Sequence, residues 1–120
     1  MKNSSPPPSR NRRRYPRISY SLEVDWGPSP ECAYKGRVTT LSVGGCFLQT
    51  KAAAPKDALI YIRLLLAPKS ENVMEGVVWG RVAYHQPEEG LGVEFMKLPP
   101  GYEEHIRDIV EFNLEGGGEV

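Results

Sequence analysis

Ser19-Tyr20-Ser21-Leu22-Glu23-Val24-Asp25-Trp26 alternates polar and apolar side chains without a break. A period of two is the mark of a strand with one face on a core and the other in water. Gly27-Pro28-Ser29-Pro30 stops it, because proline cannot donate to a ladder and glycine, proline and serine favour turns.

Working outward toward the C-terminus, Tyr34 to Val43 reads as a second strand. Gly44-Gly45 is expected to supply positive-φ freedom for a sharp connection into a third, Cys46 to Thr50. Ala52 to Asp57, with Pro55, reads as a turn region. Ala58 to Leu66 is apolar on both faces, the expectation for a central strand covered on both sides. Asn72 to His85 reads as a long strand in which Gly76 and Gly80 allow a bend or close backbone packing, and Gly90 to Met96 as a last strand with Leu91, Val93 and Phe95 inward. Six strands in so short a stretch imply a small barrel, with Trp26, Trp79 and Tyr61 as packing residues in its core or at its rim. The period then changes. Tyr102, Ile106, Ile109, Val110 and Asn113 follow helical spacing, Glu103 and Glu104 favour the dipole of a first turn, and Gly116 to Gly118 end the helix, which closes an end or flank of the barrel.

Toward the N-terminus the chemistry is different. Six of the fifteen Lys and Arg residues fall in the first seventeen positions, ending in Arg12-Arg13-Arg14-Tyr15-Pro16-Arg17, and the first acidic residue is Glu23. The remainder, residues 18–120, carries nine basic and fifteen acidic side chains, so a net charge of zero conceals an acidic body behind a cationic arm. A general polyanion binder is basic across a face. This chain reads instead as a local anion clamp, because guanidinium is the planar fork that suits phosphate oxygens and the O6/N7 edge of guanine. Taken alone, the same cluster also reads as a solvated tail or a nucleic-acid contact.

At 120 residues and 40% apolar content the chain accommodates one core. Its organisation is expected to be a Pro/Ser tail over 1–9, a basic arm over 10–18, the barrel over 19–98, the helix over 101–115 and a short tail over 116–120. Cys32 and Cys46 lack CxxC spacing, and reduced thiols in a cytoplasmic protein are expected. The basic start leads into no apolar stretch of the signal-peptide kind, and apolar runs such as Leu64 to Ala67 are far too short to span a bilayer. His85 and His105 have no partners at metal-ligand spacing and read as surface residues. Ser42 lacks a nucleophile context, and no acid, base, nucleophile and metal set can be assembled, so the chain does not read as an enzyme and no cofactor or metal is expected.

Two motifs in order carry a resemblance. Arg13-Arg14-Tyr15-Pro16-Arg17 has the form RxxxR, and Thr40-Leu41-Ser42-Val43-Gly44-Gly45 has the spacing of [D/N]xSxxG. Together with the Arg-Tyr-Pro-Arg-Ile entry into the first strand, the long penultimate strand, the Gly-Leu-Gly-Val-Glu-Phe final strand and the closing helix, these make residues 10–115 resemble a PilZ domain of the stand-alone type. The resemblance implies a six-stranded antiparallel barrel with a C-terminal helix that binds the bacterial second messenger cyclic di-GMP. It implies a ligand-binding set of Arg12, Arg13, Arg14, Arg17, Thr40, Ser42, Gly44 and Gly45, in an arm that orders on the ligand and signals to a protein effector in motility, pilus, biofilm or exopolysaccharide control. The partners implied are that nucleotide and an effector, without nucleic acid or membrane, the chain itself being a monomer or weak dimer. A basic residue directly before RxxxR, here Arg12, accompanies binding of an intercalated ligand pair in this family, so two ligands per domain are implied. The chemistry agrees: Arg13 and Arg17 suit phosphates and a Hoogsteen edge, Ser42 has a hydroxyl to donate, and Gly45 leaves room beside the backbone. Thr40 departs from the pattern, since one hydroxyl cannot accept both donors of a guanine Watson–Crick edge as a carboxylate can. The substitution costs about 1 to 2 kcal/mol, roughly ten- to thirtyfold in affinity. The alternative is therefore a degenerate adaptor that has lost the nucleotide and acts through protein contacts alone.

Overall fold

The computed structural model describes residues 16–66 and 74–114. Readings placed on the remaining positions lie outside the described residues. They include the two tails, Asn72, and Arg12, Arg13 and Arg14.

Alternating sequence becomes six antiparallel strands and one helix: β1 (Ile18–Gly27), β2 (Tyr34–Ser42), β3 (Gly45–Gln49), β4 (Leu59–Leu66), β5 (Met74–Gln86), β6 (Gly90–Lys97) and α1 (Tyr102–Phe112). The strands close a barrel in the order β1-β2-β3-β6-β5-β4. Closure is made by the C-terminal half of β1, where Asp25, Trp26 and Gly27 pair with Arg63, Ile62 and Tyr61. A closed barrel abolishes sheet edges, so every strand finds a partner on both sides.

One interior takes the inward half of each strand. Val24 and Trp26 from β1, Val38 and Leu41 from β2, Leu48 from β3, Ile60, Ile62, Leu64 and Leu66 from β4, Val78 and Val82 from β5 and Leu91 and Val93 from β6 form a single buried cluster. The expected inward set of the last strand holds for Leu91 and Val93, with Phe95 half-buried. A register shift between Ser19 and Leu22 interrupts the β1–β2 ladder, and Tyr20 and Leu22 are correspondingly only partly buried. Trp26 is the largest core side chain. Its indole nitrogen donates to the Thr50 hydroxyl at 3.3 Å, and Thr50 also accepts from the Ala52 amide at 3.2 Å, so a buried hydroxyl ties β1 to the segment after β3. Nothing in the alternation flagged Thr50 as a hub.

Three expectations change on contact with the structure. β4 is apolar on both faces but only one is covered: Ile60, Ile62, Leu64 and Leu66 are buried, whereas Leu59 is 56% and Leu65 41% exposed. A barrel has a single interior, so its outward residues meet solvent whatever their character. Trp79 likewise stands on the outer surface at 45% exposure, edge-on to Tyr61 with ring centroids 5.5 Å apart, while Trp26 is buried as expected. The β2–β3 connection uses no left-handed glycine, because the positive-φ glycines among the described residues are Gly90 and Gly101.

α1 packs its apolar side, Tyr102, Ile106 and Val110, into the same core, and the Tyr102 hydroxyl donates to the Leu64 carbonyl at 2.7 Å. Close packing explains two glycines of β5: a Cβ at Gly76 would sit 3.1 Å from both Pro99 and the Tyr102 hydroxyl, and one at Gly80 2.5 Å from Val93. Among the described residues, no helix is long and apolar enough to cross a membrane.

Candidate functional site

The corner between β2 and β3 is built by one serine. Ser42 is buried, and its hydroxyl oxygen accepts hydrogen bonds from the Gly44 amide at 3.2 Å and the Gly45 amide at 3.1 Å. A side chain that satisfies two amides two and three residues ahead holds the tight turn without help from an inverted backbone. This is why the expected positive φ at Gly44-Gly45 is absent. The serine's own proton reaches the Gly45 carbonyl only over a long 3.3 Å, so it is the part of the group that an incoming acceptor competes for.

Gly45 answers to packing rather than to torsion. It pairs with Glu94 of β6, and a Cβ there would fall 2.1 Å from the Val93 carbonyl oxygen, so no other residue fits without parting the strands. The Gly44 carbonyl accepts from the Phe95 amide at 2.9 Å and fixes the other side of the turn. The bare backbone at this corner leaves one wall of an open groove of about 1120 Å³, lined among others by Ser42, Gly44, Gly45, Arg81 and Glu94.

Arg17 stands on the same wall. It immediately precedes Ile18, which pairs with Leu41, so the antiparallel register brings it level with Ser42 although the two are far apart in sequence. Its charge also reaches the thiol behind the wall: burial pushes Cys46 up from its ordinary 9.0 to about 12, and Arg17 opposes that rise. Cys46 and Cys32 are both buried and free.

Thr40 does not join this group. It sits on β2 beside an irregularity in the β2–β3 ladder, is absent from the groove wall, and has a hydroxyl shielded from solvent with no hydrogen-bond partner among the described residues. Of the expected set, the structure therefore brings together Arg17, Ser42, Gly44 and Gly45 and sets Thr40 aside. Arg12, Arg13 and Arg14 lie outside the described residues.

A charged row that the motifs did not indicate continues from the corner across the barrel. Ladder partners run Ser42, Gly45, Glu94, Arg81 and Leu59 over five strands. In it the Arg81 guanidinium donates to Glu94 and, at 3.0 Å, to Asp57. The hydrogen bond and charge of Glu94, and secondarily those of Asp57, raise the Arg81 pKa above its ordinary value. The signal was present in the last strand, since inward Leu91, Val93 and Phe95 place Glu94 outward, but alternation does not say which outward residues share a groove. Among the described residues no group of three His, Cys, Asp or Glu could hold a metal. His85 is exposed, as expected, and His105 is half-buried on α1 with Nε2 shielded.

A PilZ domain family model matches residues 11–112, and the chain belongs to that family. Among solved structures it is similar to the inhibitor of motility MotI/DgrA of Bacillus subtilis, at 15% identity and a TM-score of 0.70 over 88% of this chain and 53% of that one. The chain thus spans about half the length of that neighbour. It is also similar to the PilZ domain of CeSA from a cellulose-synthesizing bacterium, at 19% identity and a TM-score of 0.56 over 82% of this chain and 97% of that domain. At such identities the likeness establishes the fold. No curated protein matches the chain in sequence.

Proposed function

We propose that this chain is a receptor for cyclic di-GMP that acts by binding, not catalysis, and passes the signal to a protein effector. The observation that carries the reading is the meeting of Arg17 with the Ser42–Gly45 corner on one groove wall. Two motifs separated in sequence converge where a doubly phosphorylated guanine compound needs both a guanidinium and uncluttered backbone. Membership of the PilZ family supports the same ligand.

In this reading Arg17, with Arg13 and the neighbouring Arg12 and Arg14, takes phosphate oxygens and a guanine Hoogsteen edge through charge-assisted bonds. The Ser42 proton turns from the Gly45 carbonyl to a ligand oxygen, and the bare Gly44-Gly45 backbone receives the flat base. Binding draws the arm onto the corner, and this coupled ordering alters the surface that an effector meets. Arg12 provides the further cation that a second, intercalated ligand requires. Motility is the proposed output by analogy with the motility inhibitor that shares the fold.

Calorimetry with cyclic di-GMP is expected to give micromolar or tighter binding. Arg13→Ala and Arg17→Ala should each weaken it by about a hundredfold, the loss of a charged hydrogen-bonded pair of roughly 3 kcal/mol. Full affinity in both variants refutes their assignment.

A second reading, a PilZ adaptor without the nucleotide, is favoured by one observation, the shielded Thr40 hydroxyl lying off the groove. Thr40→Asp separates the two. Binding that emerges only in that variant supports the adaptor, and binding already present in the wild type excludes it.

A further inference from the structure

The groove still needs an acceptor for the guanine. A Watson–Crick edge offers the N1–H and the 2-amino group as adjacent donors, and two oxygens in a fork are the group that takes both. Thr40, at the position where the motif has Asp or Asn, has one side-chain oxygen, which is shielded, and the residue is absent from the groove wall. Glu94 has what Thr40 lacks. It is the ladder partner of Gly45, its side chain is 49% exposed, and it lines the groove beside Ser42 and Gly45.

Arg81 prepares that carboxylate. The guanidinium contacts Oε1 of Glu94 and is held from the far side by Asp57 at 3.0 Å, which restricts the glutamate while leaving Oε2 without a hydrogen-bond partner among the described residues. Over the groove as a whole charge is balanced, with Arg17, Lys56, Arg81 and Lys97 set against Asp57, Glu94, Glu103 and Glu104. The available Oε2 is an acceptor that suits N–H donors and not phosphate oxygens, so two groups divide the wall: Arg17 for the anion and Glu94 for the base edge, with the side-chain-free Gly45 between them. The other groove carboxylates are less suited, because Glu103 and Glu104 stand on the first turn of α1 and Asp57 lies beyond Arg81 from the corner.

Resting on the cyclic di-GMP reading, we infer that Glu94 is a specificity-determining residue that accepts the Watson–Crick edge of a bound guanine in place of the missing residue-40 carboxylate, with Arg81 as its positioning residue.

The test titrates wild type and Glu94→Gln with two probes, cyclic di-GMP and its hypoxanthine analogue cyclic di-IMP, which lacks only the 2-amino group. Wild type should prefer the guanine compound by about tenfold, the worth of one hydrogen bond to a charged acceptor. Glu94→Gln should bind cyclic di-GMP roughly tenfold more weakly and lose most of the preference, since an amide keeps one acceptor and turns a donor toward the amino group. Glu94→Asp should retain the preference at reduced affinity. Equal weakening toward both probes in Glu94→Gln would assign the residue a merely structural part and overturn the inference, as would an unchanged preference. Absence of wild-type binding to either probe would instead remove the receptor reading itself, and the specificity assignment with it.

Discussion

Two outer faces of one barrel differ in almost every respect. Along the groove, the row from Ser42 to Arg81 is glycine, serine and charge, and its polar atoms are tied to one another by side-chain and backbone hydrogen bonds. Around the barrel on β4 and β5, Leu59, Leu65 and Trp79 are apolar and exposed, with Tyr61 half-buried beside Trp79. The two faces meet on β4 and β5, where Leu59 ends the row that begins at Ser42. The difference shows that the core dictates only the inward half of each strand. The outward half is free to be specialised, and here it is specialised in two directions.

Measurements that would break or sharpen the contrast begin with the two tryptophans. Trp26→Ala opens the core and is expected to cost about 4 kcal/mol in urea unfolding, against about 1 kcal/mol for Trp79→Ala, which loses an edge-on contact with Tyr61 and little burial. Similar costs at both positions would mean that the β4–β5 face is covered in solution. Next in size, Gly45→Ala forces a methyl against the Val93 carbonyl and should remove about 3 kcal/mol. A loss below about 1 kcal/mol would show that β3 and β6 part easily at the groove.

The most gradual effect, negligible at neutral pH, probes the seal behind the groove wall. The Cys46 thiol is pushed up from 9.0 to about 12, so above pH 9 the unfolded chain loses this proton before the folded one does. Its stabilisation is complete below pH 9 and declines as pH rises toward 12, with a slope approaching about 1.4 kcal/mol per pH unit. Cys46→Ala should remove that slope in unfolding titrations between pH 9 and 11. An unchanged slope would place solvent at the thiol.

Much of this was legible in the chain. Alternation marked the strands to within a few residues, because a half-buried strand has to repeat every second position. The change of period marked α1 through Tyr102, Ile106 and Val110. Within the candidate site, the family resemblance carried by the two motifs is what linked Arg17 with the Ser42–Gly45 segment. The glycines were read half rightly: the torsional freedom expected of Gly44-Gly45 is absent because Ser42 holds the turn, whereas the room expected beside the backbone at Gly45 is required by the approach of Val93. Trp79 and the outer half of β4 were misplaced for a related reason, since apolar character records what a face is made of and not what lies against it.

The sequence by itself determined six strands, a closing helix and a cationic segment entering the first strand, since periodicity and charge are properties of residues in order. Only the tertiary structure decided that Thr40 is off the groove wall, that Glu94, Arg81 and Asp57 share that wall, and that Leu59 and Trp79 meet water. Those facts depend on which strands become neighbours when the barrel closes and in what register. A register is set by the whole interior packing at once, and no local stretch of chain contains it.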